Sequence, residues 1–216
     1  MIFLKRRALM TRENGIEKLA WIQSTGTQYI DTLYKPRTNT ILEMDIQFVE
    51  NEYTKKPNNV VKGNDNNFFG VAFLDNLFSA NFGETYTQYS QIYYWNNIPN
   101  SPGSQIYSQT YNNITDRSVM LIQNNKVDFL GITRELAPKT TNQDANMFLF
   151  GLNNIRKGTI NYFKRYNMKL YSCKIYEDDI LIKDFIPAKL GDKIGLYDNV
   201  SKRFHENKGT GEFLYA

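Results

Sequence analysis

Short runs of alternating apolar and polar residues recur along most of the chain, and Gly, Pro, Asn or Asp residues separate them. A period of two is the pattern of a β-strand that buries one face. The clearest case is the stretch ILEMDIQF at 41–48. Its predicted core face consists of Leu42, Met44, Ile46 and Phe48, and its predicted outer face consists of Glu43, Asp45 and Gln47.

Two hairpins are predicted where residues that tolerate positive φ stand between strand-like runs. Asn124-Asn125 separates 119–123 from 127–132, and Asp178-Asp179 divides the stretch 166–188. Helical periodicity is nearly absent, so the pattern predicts an all-β, two-sheet antiparallel sandwich of jelly-roll type. Further strand-like runs lie at 20–23, 28–31, 67–73, 77–82, 147–152, 194–197 and 203–205.

Strict alternation along the strand before Asp178-Asp179 gives each side chain a predicted face. Leu170 and Lys174 fall on one face, while Tyr171 and Cys173 fall on the other. Cys173 is thereby predicted to be a small buried hydrophobe rather than a nucleophile paired with the sole histidine, His205.

Composition indicates the size of the domain and excludes some kinds of site. The chain has 216 residues, 41% of them hydrophobic, with 15 Tyr and 14 Phe, which suits one β-domain with a substantial core. We predict a domain at 16–216 preceded by an arm at 1–15. A single Cys and a single His exclude an intrachain disulfide and a Cys/His zinc site. The stretch KGNDNNF at 62–68 offers oxygens but not the spacing of an EF-hand loop, so no metal and no cofactor are predicted.

The formal net charge of +4 is spread along the chain, so no specific nucleic-acid partner is expected. No apolar run approaches the ~18 residues that span a membrane, so no membrane partner is expected. The N-terminus has a basic cluster with short apolar runs before and after it. A secretory signal instead has its charges first and then one longer apolar stretch, so export by that route is not expected. We predict that it docks on a partner protein; the alternative is a frayed tail. The cluster comprises Lys5, Arg6, Arg7 and Arg12.

Three longer sequence stretches, called words below, lie near the two ends of the chain and point to a family. IQSTGTQYIDTLYKPRTNT begins at Ile22, KLYSCKIYEDDILIKDFIPAK begins at Lys169, and IGLYDNVSKRFHENKGTGEF begins at Ile194. Together they resemble the two ends of a LamG-like, concanavalin A-like jelly-roll module of phage and gut-bacterial proteins. The resemblance implies that the first and last strands pair. One departure is Leu33, where relatives often carry Gly.

Concanavalin A-like folds include glucanases whose strand motif is Glu-x-Asp-x-Glu, which this chain matches as Glu43, Asp45 and Gln47. On a strand at ~3.3 Å per residue, the first and third positions lie about 13 Å apart. Retaining glycosidases need two carboxyls about 5–5.5 Å apart, one of which donates a proton. The amide of Gln47 cannot donate that proton, so the chain is predicted not to be an enzyme.

A region rich in Tyr, Asn, Ser and Gln at 86–113 is the predicted contact surface, because such side chains suit paratopes and sugar sites. The alternative is an edge strand and loop packed on their own aromatic residues. The candidate ligand-binding residues are Tyr89, Tyr93, Trp95, Asn96 and Asn97.

The resemblance implies a non-enzymatic phage virion accessory protein, decorating a capsid or tail. Its expected partners are other virion proteins, reached through the arm, with host or mucosal glycans as further candidates. One alternative is a secreted or cell-surface carbohydrate-binding module of a gut bacterium. A divergent glycoside hydrolase is a second alternative, of low weight.

Overall fold

A computed structural model describes residues 15–49, 67–73, 76–84, 90–95, 107–111, 114–136, 138–139, 142–162 and 167–216. Within these residues the backbone forms nineteen strands and one 3-10 helix, Ile155–Lys157. The strands are β1 Ile16–Lys18, β2 Ile22–Ser24, β3 Ile30–Asp31, β4 Thr40–Val49, β5 Asn67–Phe73, β6 Asn76–Glu84, β7 Ser90–Trp95, β8 Tyr107–Tyr111, β9 Ser118–Gln123, β10 Lys126–Phe129, β11 Ile132–Glu135, β12 Phe148–Leu149, β13 Gly151–Asn154, β14 Thr159–Tyr162, β15 Asn167–Glu177, β16 Ile180–Leu190, β17 Lys193–Asp198, β18 Arg203–Glu206 and β19 Leu214–Tyr215.

The strands form two sheets that pack face to face, which confirms the predicted all-β sandwich of jelly-roll type. The first sheet has the order β11-β10-β9-β4-β15-β16-β17-β18, with β1 beside β16, and β2 beside both β15 and β19. The second has the order β14-β13-β5-β6-β7-β8, with β12 joining β3 to β5. Pairing is antiparallel throughout the described strands except between β13 and β5, where Asn153 lies opposite Val71 in parallel register.

The core lies between the sheets, and β4 supplies its centre. The predicted alternation of β4 is confirmed: Leu42, Met44, Ile46 and Phe48 have no exposed surface. The Phe48 ring meets Phe68 of the second sheet edge to face, with 5.1 Å between ring centroids. Burying a side chain of this size stabilises a fold by about 1.5–3 kcal/mol, so β4 is anchored firmly enough to hold its outer side chains in place.

Both predicted hairpin turns form as the sequence indicated. Asn124 and Asn125 have φ of 49° and 59°, and Asp178 and Asp179 have φ of 46° and 65°. Leu33 also has a positive φ, of 54°. Glycine would adopt this conformation without a steric penalty.

One prediction about β15 is wrong. Its pairing with β4 shifts register between Leu170 and Ser172, so that one extra residue, Tyr171, stands opposite no partner. Leu170 and Cys173 are therefore both fully buried, whereas strict alternation placed them on opposite faces. A β-bulge inverts the alternation after it. It also places Tyr171 and Lys174 together on the outer face, where both make contacts described below.

Two other predicted strands are each divided by residues with positive φ. The return strand 127–132 ends at Phe129 and restarts at Ile132, because Leu130 and Gly131 have φ of 49° and 75°. The run 147–152 is buried on both faces as predicted, but Phe150, at φ 63°, separates β12 from β13.

The two ends of the chain meet, as the resemblance implied. Strand β2 pairs with β19, with Ile22 opposite Tyr215, and β1 pairs with β16. The predicted arm lies outside the described residues apart from its last residue, Gly15, and its boundary stays a prediction. In the described part of the chain, no helix has the length and apolar character needed to cross a membrane.

Candidate functional site

The outer face of β4 carries the three polar side chains that resemble a glucanase motif. Its burial alternates along the strand, with Glu43, Asp45 and Gln47 all partly exposed. The three side chains therefore share one face, as predicted, on the side of the first sheet away from the core. What decides their chemistry is the set of groups around them.

Asp45 is neutralised by an arginine. Arg117 donates two hydrogen bonds to it, from Nε to Oδ1 at 3.0 Å and from Nη2 to Oδ2 at 2.7 Å. The guanidinium also lies over the ring of Tyr171, 3.7 Å from its centroid. The hydrogen bond to Asp45 raises the pKa of Arg117. This bidentate, stacked geometry specifies arginine, and it occupies both oxygens of the carboxylate.

The other two positions are also engaged. Lys174 Nζ donates to Glu43 Oε1 at 3.0 Å, and this hydrogen bond raises the pKa of Lys174. Gln47 accepts a hydrogen bond from the Tyr171 hydroxyl at 2.9 Å and donates to the carbonyl of Thr115 at 3.0 Å. Each of the three polar side chains in this row is therefore paired with a complementary charge or hydrogen-bonding group.

A second site lies at one end of the first sheet, where three turns meet. The start of β4 lies between the end of β9 and the end of β15, since Leu42 pairs with Ile122 and Thr40 pairs with Glu177. The turns at these ends enclose a polar cavity of about 230 Å³. Its lining is Thr38, Asn39, Thr40, Ile41, Ile122, Gln123, Asn124, Asn125, Lys139, Asp178 and Asp179.

The charged centre of this turn-end cavity is Lys139. Its Nζ donates to the carbonyl of Thr40 at 2.5 Å and lies 4.8 Å from the centroid of the Phe78 ring, which belongs to the second sheet. Burial lowers the pKa of Lys139 to about 8. A perturbed amine that lines a concave polar site is a mark of functional sites.

The wall behind Lys139 is held by Thr40. Its hydroxyl accepts a hydrogen bond from the Arg37 amide at 2.7 Å and lies 2.6 Å from the buried hydroxyl of Tyr34. Burial raises the pKa of Tyr34, so this hydroxyl stays protonated at physiological pH. The carbonyl that receives Lys139 is thus fixed by a hydrogen-bonded turn.

No protein-family model, no curated protein and no solved structure matches this chain.

The Cys173 thiol is fully buried, as predicted, and burial raises its pKa, which suppresses the reactive thiolate. His205 is buried too, and its Nδ1 lies 2.9 Å from the carbonyl of Asp31, so this nitrogen is the donor and carries the proton. Its Nε2 has no hydrogen-bond partner within the described chain. Burial lowers the pKa of His205, which keeps the ring neutral.

The remaining candidate residues stay predictions. Tyr93 and Trp95 lie on β7 of the second sheet, opposite Asn81 and Ser79 in register. The other three candidate ligand residues, Tyr89, Asn96 and Asn97, lie outside the described residues. So do the basic residues of the arm, Lys5, Arg6, Arg7 and Arg12, and most of the stretch 62–68. In the part of the chain that is described, no group of three or more His, Cys, Asp and Glu side chains is placed to hold a metal.

Sequence reasoning missed the turn-end cavity. Its two hairpin turns were predicted, but nothing in an alternating pattern states that turns from three strands converge on one lysine. The available signal was weak: Lys139 stands in a segment without strand alternation, next to Pro138. The order of β9, β4 and β15 brings the three turns together, and Lys139 joins them through its hydrogen bond to the carbonyl of Thr40.

Proposed function

We propose that this chain is a non-enzymatic phage virion accessory protein, which decorates a capsid or tail through a jelly-roll adhesion domain. The observation that carries the non-enzymatic part is the pairing of both carboxylates on the outer face of β4 with cationic side chains. Asp45 is held by Arg117 and Glu43 by Lys174. Retaining catalysis needs one carboxyl to attack and a second to donate a proton, and both carboxylates on this face are paired with cationic side chains.

Support for a virion role comes from the resemblance of both chain ends to modules of phage proteins, together with the basic N-terminal cluster. A cationic arm suits attachment to an anionic protein shell by electrostatic steering. The sandwich then projects from the shell, with its outer face and turns available for contact.

Particle composition is the direct test. Purified phage particles that encode this chain are expected to contain it, detected by mass spectrometry and located by immunogold labelling. A chain lacking residues 1–15 should fold but fail to join particles. A matched control replaces Lys126, Lys157, Lys193 and Lys202 by Gln, which changes charge outside the arm. Absence of the protein from particles would refute the virion role.

The catalytic alternative is tested on the same row. Neither the wild type nor Gln47→Glu, which restores the third carboxyl of the motif, is expected to hydrolyse β-glucan, because Arg117 still neutralises Asp45. Hydrolysis that Glu43→Gln abolishes would instead establish a glycoside hydrolase. Release of reducing ends is the measurement for all three proteins.

The second candidate function is a carbohydrate-binding module, and the polar turn-end cavity is the observation that favours it. Glycan-array binding by the protein without residues 1–15 would support this function. Such binding is compatible with a virion protein that adheres to host or mucosal glycans, so the particle experiment separates the two.

A further inference from the structure

We infer that the turn-end cavity binds one neutral, polyhydroxylated ring of monosaccharide size, with Lys139 as a donor and Asp178 and Asp179 as acceptors. This inference deepens the proposed adhesion role and rests on it. None of the described lining residues of the cavity belongs to β7, which carries part of the predicted aromatic contact surface.

The size of the cavity limits the ligand. Its volume of about 230 Å³ falls below the range of roughly 300–1,000 Å³ for sites that enclose drug-sized molecules. A single six-membered sugar ring suits such a volume, whereas an extended chain could enter only through its terminal residue.

Charge and lining exclude the other small ligands. The two carboxylates and one ammonium give a formal charge of −1, which disfavours phosphate and carboxylate ligands. The ammonium of Lys139 disfavours a bare divalent cation, and the described residues place no group of three or more His, Cys, Asp and Glu side chains to hold one. None of the described lining residues is aromatic, so these residues offer a planar base no stacking partner. A ring bearing both hydroxyl donors and acceptors satisfies all three groups.

Several side chains that line the cavity have hydrogen-bonding capacity that contacts within the described chain do not use. Lys139 has three donors, and its contacts within the described chain use one, to the carbonyl of Thr40. Asp178 and Asp179 are exposed at the tip of their hairpin, and no side chain in the described part of the chain is hydrogen-bonded to them. Asn124 and Asn125 face the same cavity from the neighbouring hairpin. Vicinal hydroxyls of a sugar would bridge these two turns.

Titration of the ¹⁵N-labelled full chain with glucose, galactose, mannose and N-acetylglucosamine tests the inference by NMR. At least one sugar is expected to bind with a Kd of about 1 mM, typical of a single small contact. The shifted amides should cluster at 38–41, 122–125 and 178–179. Glucuronate and glucosamine serve as the anionic and cationic probes, and glucuronate should bind more weakly.

Asp178→Asn with Asp179→Asn is the decisive variant, because Asn tolerates the positive φ of this turn and the hairpin should persist. Binding is expected to weaken at least tenfold, and Lys139→Met should have a similar effect. In the wild type, affinity should also fall as the pH rises through about 8, where Lys139 loses its charge. Asp192→Asn, in the exposed turn after β16, is the matched control and should bind normally.

Absence of shifts with every sugar, or equal binding by the Asp178→Asn, Asp179→Asn variant and the wild type, would overturn the inference. Shifts that cluster away from the three turns would overturn it as well. Neither result affects detection of the protein in particles, so a failed sugar site and a failed virion role are distinguishable.

Discussion

The buried ammonium of Lys139 makes the stability of the protein depend on alkaline pH. Burial lowers its pKa from 10.5 to about 8. Between these values the unfolded chain binds more protons at this position than the folded chain, so the free energy of unfolding should rise with pH. The full difference, at about 1.4 kcal/mol per pH unit, corresponds to about 3 kcal/mol. Since Lys139 is partly exposed, screening by solvent makes this an upper value.

Lys139→Met removes the titration while keeping an unbranched side chain over Phe78. Its free energy of unfolding should lack the rise that the wild type shows between about pH 8 and pH 10, where about 2 kcal/mol of the difference is developed. Near pH 7, Lys139→Met removes the penalty of burying a charge, but it also loses the hydrogen bond to the carbonyl of Thr40. That loss costs about 1–3 kcal/mol and offsets the gain. The change of slope with pH, rather than stability at one pH, is therefore the test.

Urea denaturation followed by tryptophan fluorescence measures both proteins at each pH. The exposed Lys157 supplies a matched control, since Lys157→Met should follow the wild-type pH profile. If wild type and Lys139→Met differ by the same free energy at pH 7.5 and pH 10, Lys139 does not titrate in this window, and burial does not lower its pKa as argued.

Three further predictions use the same denaturation assay. Leu33→Gly should stabilise the fold by about 0.5–1 kcal/mol, because it relieves a φ of 54° in an exposed side chain; destabilisation would contradict that backbone. Asp198 is fully buried, and although burial opposes ionisation, hydrogen bonds from Ser201, two amides and Lys183 lower its pKa. Asp198→Asn should cost about 3 kcal/mol of unfolding free energy. Wild-type stability should fall as the pH drops below about 6.5, first because His205, whose folded pKa is also lowered, gains a proton on unfolding, and then below about 4 because Asp198 does so. A flat acid profile would contradict both lowered pKa values. Gly209→Ala should cost more than about 2 kcal/mol, because its Cβ would lie 1.9 Å from the carbonyl of Thr27, and an unchanged midpoint would contradict that contact.

Sequence patterns predicted much of the fold because strand alternation and turn residues depend on neighbouring positions in the chain. Alternation located β4 and its buried face, and Asn-Asn and Asp-Asp located two turns that need positive φ. The same rule failed in β15, because a bulge at Tyr171 depends on how β15 lies between β2, β4 and β16, and not on its own sequence.

The candidate sites depend on contacts between residues that lie far apart in the sequence. Gln47 showed from sequence that the third carboxyl is missing, but pairing of Asp45 with Arg117 joins residues 72 positions apart. Lys139 and the Thr40 carbonyl are separated by 99 positions. Neither contact follows from any periodicity, because sheet order alone determines which strands are neighbours.

The structure brings together two stretches from the two ends of the chain. Gln28, fully enclosed, accepts a hydrogen bond from the amide of Thr25 at 2.8 Å and donates to the carbonyl of Thr210 at 3.1 Å. The Thr210 amide in turn donates to the carbonyl of Thr27 at 3.1 Å. The stretches STGTQ and KGTG are therefore joined directly by hydrogen bonds between Gln28, Thr27 and Thr210.

The turn-end cavity combines these two parts of the sequence. Residues 38–40 and 178–179 belong to words that resemble the family, whereas Asn124, Asn125 and Lys139 come from the middle of the chain, which does not. Residues 38–40 and 178–179 thus build the frame of the cavity, and the middle of the chain supplies Asn124, Asn125 and the one cation among the described lining residues, Lys139. If the cavity binds a sugar, substitution of Asn124, Asn125 or Lys139 should change which sugar is preferred, while substitutions in the frame should weaken all sugars alike.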